Sequence, residues 1–173
     1  MSKLTAVSNT SPLVIFAKSG NLGLLLKLFQ KPLIIEEAVY QEAVVQGIEK
    51  QENDAEIIEK HVKNRDILVK KASRILDLPY LDAGEKAAIS LAVEEKPDFI
   101  CMDDLEGRAA AKQLGLKPVG GIGILTALLK LKVIGKRKAL EIAEEMVNVG
   151  YRISAKLLEE FKKAVKENKA FLP

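Results

Sequence analysis

Tryptophan is absent from this 173-residue sequence, and cysteine and histidine occur once each. A single cysteine excludes an intramolecular disulfide and any multi-cysteine zinc site, and a single histidine excludes the multi-histidine zinc sites. Aromatic residues make up only 5%, which argues against the base-stacking platforms of RNA-binding sheets and OB-folds. No apolar run approaches the ~20 residues that cross a bilayer. The opening MSKLTAVSN has no apolar signal-peptide core. These absences predict a soluble cytoplasmic protein with no membrane partner. Whatever chemistry it performs must come from carboxylates, Ser, Thr, Asn and basic side chains.

What is present describes a globular chain: 48% hydrophobic and 29% charged residues, enough apolar matter for one core at a length typical of one domain. The net charge of +3 is unevenly spread. Residues 1–107 carry 13 basic and 18 acidic side chains, and residues 108–173 carry 14 basic and 6 acidic ones. An acidic part joined to a basic part suits a metal-dependent enzyme acting on a polyanion. It also suits a basic, solvated helical tail.

Short apolar runs alternate with helical patterns. Residues 4–7, 32–35, 67–71, 99–102 and 117–119 read as strands. The third of these is placed at an edge because Lys70 and Lys71 blunt it. Ser11 as cap with Pro12 behind it starts a first helix, and Asn21 starts a second. A helix over residues 36–46 is stopped by Gly47. Further helices cover residues 54–65, 82–95, 105–114, 124–133, 136–148 and 154–167. Gly120-Gly121-Ile122-Gly123 lacks the Lys-Ser/Thr of a phosphate loop and reads as a turn. Strands alternating with helices predict a three-layer α/β/α sandwich with a mostly parallel sheet. Residues 1–173 then form one domain, with an α/β core at 1–135 and a helical appendage at 136–173.

Ligands of such sheets bind beyond the carboxyl ends of the strands. The first strand ends in Asn9-Thr10-Ser11 and the fourth in Asp103-Asp104. If these strands are neighbours, both groups face one crevice. Carboxylates without imidazole or thiolate suit Mg²⁺ or Mn²⁺. One of Asp103 and Asp104 would also serve as a helix cap. Glu42 shares a helical face with Ile35, Ala38, Val39 and Val45, where an unpaired carboxylate is costly. Tyr40, Ala43 and Val44 form a rival apolar face that would leave Glu42 at a solvated border. Glu85 follows Asp82 at capping-box spacing, and it is equally placed to face a metal at a helix start. Arg108 follows the Asp pair by one helical turn and could reach the same crevice. His61 reads as a surface residue and Cys101 as a small core residue.

Taken in order, Val7-Ser8-Asn9-Thr10-Ser11-Pro12-Leu13, Glu42, Gly84-Glu85 leading into Ala88-Ile89-Ser90-Leu91-Ala92, Ile100-Cys101-Met102-Asp103-Asp104 with Gly107-Arg108, and Gly150-Tyr151-Arg152-Ile153-Ser154 resemble the PIN-domain family. Within it they resemble the VapC-type toxin ribonucleases and a PIN-like subfamily of prokaryotes. The resemblance implies acids converging on one or two Mg²⁺ or Mn²⁺ ions and hydrolysis of RNA phosphodiesters. It implies catalytic roles for Asn9, Glu42, Glu85 and Asp104, with Glu42, Glu85, Asp103 and Asp104 as candidate metal ligands. Ser11 and Arg108 would contact substrate, and Thr10 and Ser11 would orient the acids. It also implies a homodimer and an antitoxin partner. Asn9 stands where most of the family has Asp, which keeps an oxygen ligand and removes a negative charge. The alternative expectation is a catalytically weak relative that binds RNA or protein.

Overall fold

The computed structural model describes residues 4–167 and 169. Its centre is a five-stranded, all-parallel sheet with the order β3-β2-β1-β4-β5. The strands are β1 (Ala6–Ser8), β2 (Leu33–Glu36), β3 (Ile67–Lys70), β4 (Phe99–Cys101) and β5 (Pro118–Val119). They are short, and both faces of the sheet are covered. Ala6, Val7, Leu33, Ile35 and Ile100 are completely buried, as all-parallel sheets require. Each of the Val, Leu and Ile side chains contributes about 1.5–3 kcal/mol of hydrophobic burial.

The chain leaves β1 towards β2 and β3, and returns past β1 to β4 and β5. Parallel crossovers are right-handed, so the two directions send their helices to opposite faces. Helices α1 (Thr10–Lys18), α2 (Leu22–Leu28) and α5 (Asn53–Lys63) belong to one layer, and α6 (Ala83–Glu95) and α7 (Leu105–Gln113) to the other. Helices α8 (Gly121–Lys130), α9 (Lys136–Asn148) and α10 (Ala155–Glu167) extend the first layer, with α8 and α9 packed on α1 and α10 on α9. In α2, Leu22, Leu25 and Leu28 are buried, Leu24 and Leu26 are partly buried against the core, and α2 packs on α8. No described helix is long and apolar enough to cross a membrane.

Three local details differ from the sequence expectation. The first helix starts two residues early, with Asn9 rather than Ser11 at its N-cap position and no cap bond from the Asn9 side chain. Gly120 caps α8, and its neighbours Gly121 and Gly123 are helical rather than part of a turn. The helix after β2 does not stop at Gly47 but runs from residue 37 to 49. It consists of α3 (Glu37–Tyr40), a π-helical turn (Gln41–Val45) and α4 (Gln46–Glu49). The π turn resolves the rival faces of this segment. Val39 and Val44 are five residues apart, and both are fully buried. An α-helix would place them on different sides, whereas a π turn stacks them.

Gly47 serves contact rather than termination. A Cβ there would lie 2.6 Å from the Cβ of Ala55, so α4 and α5 touch backbone to side chain. Ala ordinarily stabilises a helix over Gly by up to about 1 kcal/mol. Here the clash is with a side chain that cannot swing away, and overpacking costs about 1–3 kcal/mol. Gly47→Ala is therefore expected to destabilise the protein. An unchanged or raised urea midpoint would contradict this packing.

Candidate active site

The strand order reverses between β1 and β4, and this switch point is where an open parallel sheet offers a crevice. The register pairs Ser8 with Cys101, and the Asn9 amide donates to the Cys101 carbonyl at 2.9 Å. The residues following each strand are thereby forced together. They open into a cleft of about 560 Å³ lined by Asn9, Thr10, Ser11, Glu42, Asp82, Glu85, Asp103 and Asp104, with Lys18 and the 149–152 segment on its wall. The candidates Asn9, Ser11, Glu42, Glu85, Asp103 and Asp104 thus meet in one place. Arg108 does not line the cleft. A Cβ on Gly120 would lie 2.8 Å from Arg108 Nη1 and 2.9 Å from Asp103 Oδ1, which puts the guanidinium beside Asp103.

Each carboxylate is held by a specific donor. Thr10 Oγ1 donates to Glu42 Oε2 at 2.8 Å, so the exposed Glu42 is turned into the cleft. Glu85 Oε2 accepts from the Asp82 amide at 3.1 Å, and Asp82 Oδ1 accepts from the Glu85 amide at 2.8 Å. The capping box is real, and it also sets Glu85 on the cleft wall. Asp104 Oδ2 accepts from the Gly107 amide at 2.8 Å and caps α7. Asp103 is the most heavily engaged. Its Oδ1 accepts from the Gly121 amide at 2.8 Å and from the Tyr151 hydroxyl at 2.7 Å, and its Oδ2 accepts from Ser11 Oγ at 3.2 Å.

Asn9 is the exception. It is only 6% exposed, and its Oδ1 has no hydrogen-bond partner. Leaving a buried acceptor unpaired costs about 1–3 kcal/mol, so this atom calls for an electropositive partner. Gly84, in the first turn of α6, shows what surrounds it. A Cβ there would lie 2.8 Å from Glu42 Oε2, 3.5 Å from Asp82 Oδ1 and 3.7 Å from Asn9 Oδ1. Gly84 therefore leaves room for three side-chain oxygens above a helix N-terminus.

Among the described residues, no three Asp, Glu, His or Cys side chains are close enough to hold a metal ion by themselves. The donors that do converge are all oxygens, and one is an amide. This set fits a hydrated Mg²⁺ or Mn²⁺ better than a dehydrated ion. Mg²⁺ keeps several waters and is commonly held by one or two carboxylates plus substrate phosphate.

Sequence reasoning gave no role to Tyr151, Arg152 or Lys18. Tyr151 comes from the far end of the chain and reaches the cleft through the turn after α9. Its sequence signal was the Gly150-Tyr151-Arg152-Ile153-Ser154 stretch, which entered the family resemblance without a role attached to the tyrosine. His61, on α5, pairs with Asp66 beyond the helix end and does not line the cleft. Cys101 is fully buried, and burial pushes its thiol well above the usual range.

The sequence matches the family described as PIN domain over residues 5–167. No curated protein and no solved structure matches the chain.

Burial raises the Glu85 pKa above its ordinary 4.5, and the charges of Asp82, Asp104 and Glu106 add to the rise, against the lowering effect of the Asp82 amide. A carboxyl with a higher pKa in the folded state binds more protons folded than unfolded. Its contribution to stability is complete at low pH and is lost as pH rises from 4.5 through the raised value. Glu85→Gln keeps an oxygen for the Asp82 amide and removes the charge. Its melting temperature at neutral pH, in EDTA, is expected to equal or exceed that of the wild type, with a flatter pH dependence above 4.5. A clear fall at neutral pH would mean that the side chain acts only as a cap.

Proposed function

Because the chain belongs to the PIN-domain family, whose members are generally nucleases, we propose that it is a Mg²⁺- or Mn²⁺-dependent endoribonuclease and the toxin of a toxin–antitoxin pair. The observation that carries this reading is the buried, unpartnered Asn9 Oδ1 beside a cleft lined by five carboxylates. An orphaned acceptor among acids suits a cation and disfavours a neutral or anionic cofactor.

In this reading Asn9, Glu42, Glu85 and Asp104 hold the ion, and Asp103 is the alternative acid at the end of β4. When bound, the divalent ion supplies Lewis acidity at a phosphoryl oxygen and a water of lowered pKa. The chain's own residues do the positioning. Thr10 fixes the Glu42 carboxylate, and Ser11 fixes Asp103. Glu85 uses Oε2 for its cap and leaves Oε1 for the cleft. Glu42, Glu85 and Asp104 carry three negative charges against the two positive charges of the ion, so a neutral ligand at Asn9 still permits binding, more weakly than Asp would. The same reading takes the chain as one domain, with a core at 1–135 and a helical appendage at 136–173 whose last residues lie outside those described. It acts in the cytoplasm as a homodimer that an antitoxin protein can engage.

A second reading is a metal-poor relative that binds RNA or a protein partner. Asn9 in place of an acid, and the lack of a ready three-acid group among the described residues, favour it. Asn9→Asp separates the two. The enzyme reading expects Mn²⁺ to bind more tightly by calorimetry, by roughly 1–3 kcal/mol for a charged ligand replacing a neutral one, with faster cleavage of single-stranded RNA at fixed Mn²⁺. It also expects a lower melting temperature in EDTA, because a buried charge joins Glu42. Wild-type protein with no saturable Mn²⁺ site, and no gain from Asn9→Asp, would leave the binding reading in place.

A further inference from the structure

The cleft as described is poorly suited to a polyanion. Five carboxylates line it, and only two cationic side chains, Lys18 and Arg152, do so. Lys18 is already directed at acids outside the cleft, with its Nζ 3.6 Å from Glu52 and 4.0 Å from Asp54. Arg152 is exposed and, among the described residues, forms no ion pair or hydrogen bond.

The backbone carrying Arg152 is anchored with unusual care for a turn between two surface helices. The neighbouring Tyr151 donates its hydroxyl to Asp103 Oδ1 at 2.7 Å. Its ring occupies the space that a side chain at position 121 would take. A Cβ on Gly121 would lie 3.0 Å from the Tyr151 hydroxyl oxygen, 3.1 Å from its Cζ and 2.9 Å from Met146 Cε. Gly120 and Gly121 thus clear two adjacent spaces at the start of α8, one for Arg108 and one for Tyr151, around a single Asp103 carboxylate. Val149, Gly150 and Tyr151 then form a fixed strap on the cleft wall, with Arg152 at its end.

The geometry points to Arg152 as an anion subsite that takes a phosphodiester of a single-stranded RNA beside the scissile bond, with Tyr151 as the residue that positions it. This inference rests on the ribonuclease reading for the identity of the ligand. A guanidinium presents paired N–H donors that match phosphate oxygens, and its charge opposes the repulsion between the strand and the acids.

The test is equilibrium binding of a fluorescein-labelled oligouridylate by anisotropy, in EDTA, over a series of salt concentrations. Each phosphate neutralised on a single strand contributes about 0.7 to the slope of log affinity against log salt. Arg152→Ala is expected to weaken binding by about three- to tenfold and to reduce the slope by about 0.7, while Arg152→Lys keeps most of the slope. Tyr151→Phe keeps the ring in its slot and loses the bond to Asp103. It should weaken binding without changing the slope, because the charge remains. Lys156→Ala, on α10 and outside the cleft lining, serves as the control. Wild-type protein that does not bind the oligouridylate, or Arg152→Ala indistinguishable from Lys156→Ala, would overturn the inference. Because this readout needs neither metal nor turnover, a failure to cleave RNA would count against the proposed activity and leave the subsite standing.

Discussion

The parallel pairing of β1 with β4 is the constraint on which the cleft depends. It is a short contact of three residue pairs, extended by one amide from Asn9 to the Cys101 carbonyl. The strand order reverses there, so no crossover helix covers the carboxyl ends of these two strands. Asn9-Thr10-Ser11 and Asp103-Asp104 follow from the strand ends without further instruction. Glu42, Glu85 and Tyr151 are then brought in by three separate pieces of chain. A shift of β4 by one residue would turn its side chains to the opposite face and separate the two groups.

Placing several acids around one cleft is electrostatically unfavourable, and the fold answers with helix starts. Asp82 and Glu85 cap α6, Asp104 caps α7, and Asp103 accepts the first amide of α8. Each helix N-terminus presents unpaired amides and partial positive charge. The acids therefore have local structural partners even before any cation arrives. This is why capping and site roles coincide at the same residues: a carboxylate that closes a helix start at the crevice also faces the crevice.

Much of this architecture was legible in the sequence. Alternating strands and helices gave the element order, and Lys70 and Lys71 marked an edge strand that the structure places at the end of the sheet. Polar residues at two strand ends pointed to one crevice, and Asn9, Ser11, Glu42, Glu85, Asp103 and Asp104 do line one cleft. What periodicity missed has specific causes. The face of Glu42 was ambiguous because a π turn breaks the 3.6-residue repeat that was used to read it. Gly47, Gly120 and Gly121 looked like breakers, but each leaves space for a side chain from elsewhere in the chain. Tyr151 reaches Asp103 across 48 residues of sequence, and no local pattern records such a contact.

The π turn at Gln41–Val45 also has a genetic consequence. Such a turn holds one more residue than the α-helical turn it replaces, so it amounts to a single inserted codon. Loss of one codon among residues 40–43 would leave Val39 and Val44 four apart, the spacing that an unbroken α-helix stacks on one face. The buried side of the segment would survive such a loss. Glu42 lies inside the turn, so its direction towards Thr10 depends on the extra residue. A gap placed here in an alignment would therefore mark a change in the cleft and not in the core.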